Sequence, residues 1–397
     1  MKRVRALACA VAVAILATGC ATLSESPLTS WMTSLPVPSF AWLTGGGSKK
    51  PGPLPALTAS VTPRINWQQT VGKAAPGIAP SLSAEAVYAA SADGTLMRLD
   101  AATGRVVWRA SAGKPLSAGP GASSSLVVVG TDKGEVLAFD SDGKPLWSSR
   151  ISSELIAPPR ISDTVVVVFS GDGRIFGLNA ADGKTLWVDQ RTNPSLTVRN
   201  AAGGVVTRGG LLAGTAGGHL LALDTQSGTV GWDATVATPK GATELERIAD
   251  ITSLPYVDEN EVCAAAYQGR VACFDLVRGT LKWSRDVSSL AGITADAQRL
   301  YVVDDKGIVQ AFDRSNGASV WKQDVLSKRR IGGPQLIGDE LGVVDVEGYL
   351  HLLSRSDGSY VGRLATDGSH ATAQPLAFGG GLLWQSEKGT VFAVSAR

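Results

Sequence analysis

Residues 86–108 read AVYAASADGTLMRLDAATGRVVW, and this stretch decides the fold. Two alternating apolar runs flank a turn that ends at Gly94. A second turn ends at Gly104 and leads into a strand that carries Trp108, four residues further on. Glycine closes both turns, where a short hairpin loop needs a residue with positive φ. The stretch therefore predicts three consecutive antiparallel strands joined by two tight turns.

The same spacing recurs along the whole chain, which is the signature of a repeat protein. In complete units the two turn glycines are ten residues apart, or nine in one unit, and a tryptophan usually follows the second glycine by four. An Asp or Asn three or four residues before the second glycine can accept turn N–H bonds. The first-turn glycines are Gly94, Gly134, Gly173, Gly218, Gly269, Gly307, Gly348 and Gly389. The tryptophans are Trp108, Trp147, Trp187, Trp232, Trp283 and Trp321, with Gly362 in the seventh unit.

Each unit has room for four short strands, and four-stranded units of about forty residues are blades of a β-propeller. The last unit stops at Arg397, before its tryptophan strand, and residues 65–71 carry Trp67 on a strand that can replace it. We therefore expect an all-β, eight-bladed β-propeller of four-stranded blades, closed by the N-terminal strand. Closure of the ring removes open sheet edges. We also expect the tryptophans and the turn aspartates to serve packing and turns rather than ligands.

The amino terminus reads as a targeting signal. A basic start precedes an apolar run over residues 6–16, which is too short to span a bilayer, and LATGC at residues 16–20 resembles the bacterial lipobox. We expect a lipidated Cys20, and Ala21 resembles the sorting pattern of outer-membrane lipoproteins; the alternative is an ordinary signal peptide with an incidental cysteine. The expected organisation is a signal peptide over residues 1–19, a lipidated cysteine and flexible tether over 20–63, and the propeller over 64–397.

Composition argues against several classes of site. The formal net charge of +2 gives no reason to expect a nucleic-acid partner. The three histidines are widely scattered along the chain, so no metal site is predicted. Cys263 and Cys273 flank a turn and fall directly opposite each other on paired strands. They are either a disulfide in an oxidising compartment or two buried thiols, and the sequence leaves both open.

Function is expected where the repeat is broken. Successive tryptophans are 39, 40, 45, 51 and 38 residues apart, and the two long intervals contain extra residues at 193–200 and 239–250. In an up-and-down blade these connections lie on the face that carries the first turns, and adjacent blades place them side by side. They bring together Leu196, Val198, Arg199, Glu244, Arg247 and Asp250. An apolar centre with a charged rim is typical of a protein-binding surface, although ordinary loop variation would give the same spacing.

The Asp-x-x-x-Gly-x-x-x-Trp repeat resembles that of pyrroloquinoline-quinone-dependent dehydrogenases. Three stretches resemble a narrower family, the outer-membrane β-barrel assembly lipoproteins BamB: SLTVR at residues 195–199, TELERIAD at 243–250 and DVEGYLH at 345–351. The resemblance implies a non-catalytic periplasmic scaffold without a cofactor, tethered to the outer membrane. It would dock on the POTRA domains of BamA and assist the folding and insertion of outer-membrane proteins, whose unfolded chains are further expected partners.

The resemblance also implies docking residues, which match at Leu196, Val198, Arg199 and Asp250. The second acidic residue of the family's Asp-x-Asp pattern is Thr252 here, so one charge contact is absent or replaced. The alternatives are a ligand-binding propeller that uses its central channel and a quinoprotein dehydrogenase-like enzyme. Such an enzyme needs calcium ligands, a catalytic aspartate and usually a Cys-Cys pair. The chain has no such pair, and no catalytic constellation stands out from the repeat.

Overall fold

The computed structural model describes residues 50–83, 85–191, 194–198 and 203–396. Every regular element within these ranges is a β-strand. Among the described residues, none belongs to a helix of the length and apolar character that crossing a membrane requires.

The strands form eight sheets, one for each predicted blade. Blades 1 and 2 contain β3 (Ser81–Ser83), β4 (Ala86–Ala90), β5 (Thr95–Asp100) and β6 (Val106–Ser111), then β7 (Ala118–Ala122), β8 (Leu126–Gly130), β9 (Glu135–Asp140) and β10 (Pro145–Arg150). Blades 3 and 4 contain β11 (Arg160–Ser162), β12 (Val165–Phe169), β13 (Ile175–Asn179) and β14 (Thr185–Asp189), then β15 (Gly204–Thr207), β16 (Gly210–Gly214), β17 (His219–Asp224) and β18 (Val230–Thr235). Blades 5 and 6 contain β19 (Tyr256–Val257), β20 (Glu261–Ala265), β21 (Val271–Asp275) and β22 (Leu281–Arg285), then β23 (Gly292–Ala295), β24 (Arg299–Val303), β25 (Val309–Asp313) and β26 (Ser319–Gln323). Blade 7 contains β27 (Gln335–Ile337), β28 (Glu340–Val344), β29 (Tyr349–Ser354) and β30 (Tyr360–Ala365), and blade 8 contains β31 (Leu376–Phe378), β32 (Gly381–Gln385), β33 (Thr390–Ala396) and β1 (Pro63–Thr70).

The ring is closed by the N-terminal strand, as the repeat predicts. Strand β1 pairs antiparallel with β33 from Pro63 opposite Ala396 to Thr70 opposite Thr390. Blade 8 therefore has the order β1-β33-β32-β31, with the N-terminal strand at its outer edge. One short strand lies outside the repeat: β2 (Gly77–Ile78) adds to blade 2 by pairing parallel with β7. A two-residue strand has no periodicity that a sequence pattern would reveal.

The tryptophans pack between blades, and they explain the second-turn glycines. The Trp187 indole N–H donates to the Thr225 carbonyl of the next blade at 2.9 Å. The same ring covers Gly228, where a Cβ atom would lie 2.5 Å from it, and Gly228 has a φ of 70°. Glycine is thus required both by the backbone conformation and by the close approach of the indole. Indole N–H groups that donate to the next blade belong to Trp67, Trp108, Trp147, Trp187, Trp232, Trp283 and Trp321.

The seventh unit departs from the tryptophan rule because the incoming chain packs there. A Cβ atom on Gly362 would lie 2.8 Å from the Val61 carbonyl oxygen. The backbone N–H groups of Ser60 and Val61 both donate to the Val361 carbonyl, at 3.0 and 3.1 Å. The backbone that precedes β1 therefore lies against the strand position where the earlier units carry an indole.

The packed unit begins earlier than the expected domain boundary. The compact unit that contains the blades runs from Pro51 to Arg397. Residues 51–62 lie along blade 7: the Gly52 carbonyl accepts from Arg329 Nη1 at 2.6 Å, and the Pro55 carbonyl accepts from Arg363 Nη1 at 3.2 Å. The expected signal peptide and Cys20 lie outside the described residues, as do residues 45–49 of the glycine-rich linker.

Candidate functional site

The second insertion contains one helical turn that is stabilised by a reciprocal cap. Glu246 Oε2 accepts the backbone N–H groups of Ala242 and Thr243, at 2.8 and 3.1 Å, and Thr243 Oγ1 accepts the Glu246 N–H at 3.3 Å. This is the arrangement of a capping box, and it closes the turn in which the Arg247 N–H reaches the Thr243 carbonyl at 3.2 Å. The two backbone N–H bonds hold the pKa of Glu246 below its usual value. Glu246 therefore shapes the insertion.

The capped turn presents an apolar residue and a charged pair to solvent. Leu245 is 55% exposed, and the Glu244 and Arg247 side chains are more than half exposed and 3.9 Å apart. An ion pair this long and exposed contributes little to stability. Both charges are therefore available to a partner. In the first insertion, Leu196 is 43% exposed.

Asp250 joins the two insertions to the blades beneath them. Its carboxylate accepts the Val198 N–H on Oδ2 at 2.6 Å and the Gly217 N–H on Oδ1 at 2.9 Å. Its own carbonyl accepts the Tyr267 N–H at 2.8 Å. One residue thus fixes the first insertion, the first turn of blade 4 and the first turn of blade 5. Asp250 is only 2% exposed, so it organises this surface from below.

A cavity of about 310 Å³ opens beside the joined insertions. Thr197, Val198 and Asp250 line one side, and Phe169 and Ile175 of blade 3 lie among the residues of the other. The blade 3 residues could not be predicted from the sequence, because they occupy regular repeat positions. The insertions could be predicted because they break the regular spacing. We define the insertion surface as Leu196, Val198, Glu244, Leu245 and Arg247 together with this cavity.

The structure brings together Val198 and Asp250 of the predicted docking residues and leaves Leu196, Glu244 and Arg247 at the surface. Arg199 lies outside the described residues. Thr252, at the position of the second acidic residue in the family pattern, has its hydroxyl within hydrogen-bond distance of the Ser289 and Leu290 carbonyls, at 3.4 and 3.3 Å. An ionised aspartate has no proton to donate to these carbonyls. Thr252 thus serves a contact between blades 5 and 6 in this chain.

The two cysteines lie opposite each other on β20 and β21, and their sulfur atoms are bonded in the structure. Both are fully buried. Together with Glu261 they form a set of three metal-type ligand atoms within 4.8 Å of one another. The sulfurs are bonded to each other, however, and the Glu261 carboxylate is paired with Lys282 and Arg314. This group therefore does not offer three free ligands for a metal ion.

The family-like stretch at residues 345–351 forms a buried network in blade 7. Asp345 Oδ2 lies 2.8 Å from His351 Nε2 and 2.6 Å from Arg329 Nη2, and His351 Nδ1 lies 2.9 Å from the Tyr360 hydroxyl. Burial by itself would raise the pKa of Asp345, but hydrogen bonds from His351, the Tyr349 N–H and Arg329 bring it below the usual value. Arg329 also donates a hydrogen bond to the Gly52 carbonyl. The stretch therefore supports blade 7 and the incoming chain from inside the fold.

Comparisons with known proteins agree with this architecture. The model of a family described as "Outer membrane protein assembly factor BamB" matches residues 55–118, 92–323 and 305–397. A protein of that name from Bordetella pertussis (strain Tohama I) is 40% identical over 349 residues, 87% of this chain and 90% of the relative. The crystal structure of BamB from Moraxella catarrhalis is similar with a TM-score of 0.77 at 28% identity, covering 84% of this chain and 99% of that one. A quinohemoprotein alcohol dehydrogenase from Pseudomonas putida shares only the fold, with a TM-score of 0.65 at 13% identity over 84% of this chain and 76% of that one.

Proposed function

Because this chain belongs to the family of outer membrane protein assembly factor BamB, we propose that it is a periplasm-facing scaffold of the β-barrel assembly (BAM) complex. It is lipidated at Cys20 and anchored in the outer membrane. It docks on the POTRA domains of BamA through the insertion surface and assists the folding and insertion of outer-membrane proteins. Unfolded outer-membrane proteins are a second class of partner.

The observation that carries the docking proposal is the carboxylate of Asp250. By accepting N–H bonds from Val198 and Gly217, it holds one insertion against the blade from which the other insertion departs. A surface that is already ordered loses less conformational entropy on association than two independent loops do. The capping box adds to this order by fixing the turn that exposes Leu245.

The composition of the insertion surface fits a protein partner. Two exposed leucines, Leu196 and Leu245, provide apolar contacts, and Glu244 and Arg247 provide charges of both signs at the rim. The cavity of about 310 Å³ beside Val198 is large enough to take an apolar side chain from the partner. Apolar contacts surrounded by polar residues are the usual anatomy of a specific interface. Arg199, in the same insertion, is the expected energetic centre, because interface hot spots are enriched in arginine.

Calorimetry with the purified POTRA domains of BamA tests the docking surface. Arg199→Ala should weaken binding by about 2 kcal/mol or more, and Arg199→Glu should weaken it further by placing like charge against the partner's acceptor. Leu196→Glu should also weaken binding, because it places a charge in the apolar part of the surface. Leu146→Glu is the matched control, since Leu146 is 54% exposed on the outer strand of blade 2.

Thermal melting separates docking from folding. The exposed substitutions should stay within about ±0.5 kcal/mol of the parent protein in stability. Trp187→Ala should instead cost roughly 3–5 kcal/mol of fold stability, because it removes a large ring from between two blades. If Arg199→Glu and Leu196→Glu are both folded and both bind BamA normally, the interface lies elsewhere on the ring.

We assign no catalytic residue and no cofactor. The relative and the family model are named for an assembly factor, and the likeness to a quinohemoprotein enzyme extends to the fold alone. In the presence of pyrroloquinoline quinone, adding calcium should therefore leave the melting temperature unchanged. A saturable rise in melting temperature that requires both the quinone and calcium would argue for the enzyme alternative.

A further inference from the structure

A cavity of about 590 Å³ lies at the centre of the ring. The first strands of neighbouring blades contact each other there, for example β7 with β3 and with β11, and they form its wall. The wall is more apolar than polar and is rich in proline, which offers no N–H donor. The prolines are Pro76, Pro80, Pro120, Pro158 and Pro159. A concave, mainly apolar space of this size is typical of a site for a small molecule.

Arg160 is the one charged residue among those that line the cavity. It is the first residue of β11, in blade 3. Its Nε atom is buried without a hydrogen-bond partner, and no ion pair involves Arg160 within the described part of the chain. A desolvated cation without a counter-charge is costly to a fold. Desolvation lowers the pKa of Arg160 to about 10, which leaves the guanidinium charged at neutral pH.

Two further polar atoms without partners line the same cavity. Ser81 Oγ comes from blade 1, and Ser253 Oγ comes from the segment that leads into blade 5. Buried polar atoms are nearly always hydrogen-bonded, so each exception calls for a physical reason. Here a cation and two hydroxyl groups from three different blades lack partners around one space. All three atoms lie beneath the cavity surface, so a ligand in the cavity would reach Arg160 through its terminal guanidinium nitrogens.

We propose that the central cavity binds a small organic carboxylate with an apolar body, and that Arg160 pairs with its carboxylate. The guanidinium group matches a carboxylate in shape and can donate two parallel hydrogen bonds. The single positive charge of Arg160 balances a monoanion better than a phosphate dianion. The proline-rich wall can pack against an aliphatic or aromatic part of the ligand. The proposal is independent of docking at the insertion surface.

Octanoate and its neutral analogue octanamide are suitable probes, because they share an apolar chain and differ in charge. By calorimetry with the purified full-length protein, octanoate should bind at one site and octanamide at least tenfold more weakly. Arg160→Met should reduce octanoate affinity at least tenfold, the loss expected for one charge-assisted hydrogen bond. Arg105→Gln is the control, since Arg105 is an exposed arginine on blade 1 outside the cavity.

Thermal melting in the absence of any probe gives a second readout. Arg160→Met should raise the melting temperature, because it removes a partly buried charge that has no counter-charge, whereas replacing a purely structural arginine would lower it. Arg160→Lys keeps the charge and should retain part of the octanoate affinity. The proposal is overturned if the parent protein fails to bind octanoate at millimolar concentration, if octanamide binds equally well, or if folded Arg160→Met binds octanoate normally.

Discussion

Replacing Asp250 by alanine should loosen the insertion surface although the residue is buried beneath it. The substitution removes two hydrogen bonds to a charged acceptor, from the N–H groups of Val198 and Gly217. A bond of this kind contributes about 1.5–3 kcal/mol, and a buried N–H left without a partner costs about 1–3 kcal/mol. The Gly217 N–H is buried and would keep that cost, whereas the Val198 N–H is partly exposed and can bind water. We therefore expect about 1.5–3 kcal/mol from the buried Gly217 bond and about 0.5–1 kcal/mol from the Val198 bond, which water can replace, or about 2–4 kcal/mol in the free energy of unfolding.

Chemical denaturation measures the global effect, and hydrogen exchange measures the local one. The Val198 amide should lose most of its protection in Asp250→Ala, because its acceptor is gone. Glu244→Ala is the matched control in the second insertion: its side chain is exposed, and we expect a change within about ±0.5 kcal/mol. The affinity of Asp250→Ala for the POTRA domains should also fall, although the buried Asp250 side chain makes no direct contact with the partner. An unfolding free energy within 0.5 kcal/mol of the parent protein, with an unchanged Val198 amide, would refute this reasoning.

Three further predictions concern the anchor, the cysteines and the buried network. Cys20→Ala should leave a folded protein soluble in the periplasm, and unchanged fractionation with the outer membrane would contradict lipidation. Mass spectrometry of non-reduced protein should find Cys263 joined to Cys273, a link expected to contribute about 2–3 kcal/mol, and two free thiols would exclude it. The Asp345 carboxylate has a lowered pKa in the fold, so its contribution is complete above the unfolded value of about 4 and is lost as pH falls further. Asp345→Asn should therefore lower the melting temperature at pH 7 and flatten its dependence on pH below about 4, and an unchanged acid profile would exclude this role.

The sequence predicted the blades and the ring closure because both follow from periodic spacing. Trp187 and Gly228 belong to different units, and their repeated offsets predict an inter-blade contact without any long-range information. The two insertions could also be predicted, because they interrupt the periodic spacing. Their location on adjacent blades then follows from the strand order alone.

The roles of individual polar residues were not accessible in the same way. Nothing local distinguishes an exposed aspartate from Asp250, whose carboxylate meets N–H groups 52 and 33 positions away in the chain. Arg160 occupies a regular strand position, so no irregularity marks it. The contact of Arg329 with Gly52 spans 277 positions and depends on the closed ring. Such contacts are set by tertiary packing, which a repeat pattern does not encode.

The attachment of residues 51–62 to blade 7 has a mechanical consequence. Tension that arrives along the chain from before Pro51 reaches the bonds of Gly52 and Pro55 before it reaches β1. Arg329 transmits that load to Asp345, which is held in turn by His351. A pull on the chain before Pro51 would therefore load blade 7 before it loads the strand that closes the ring. Under the proposed anchoring at Cys20, this order of loading would protect the closed ring.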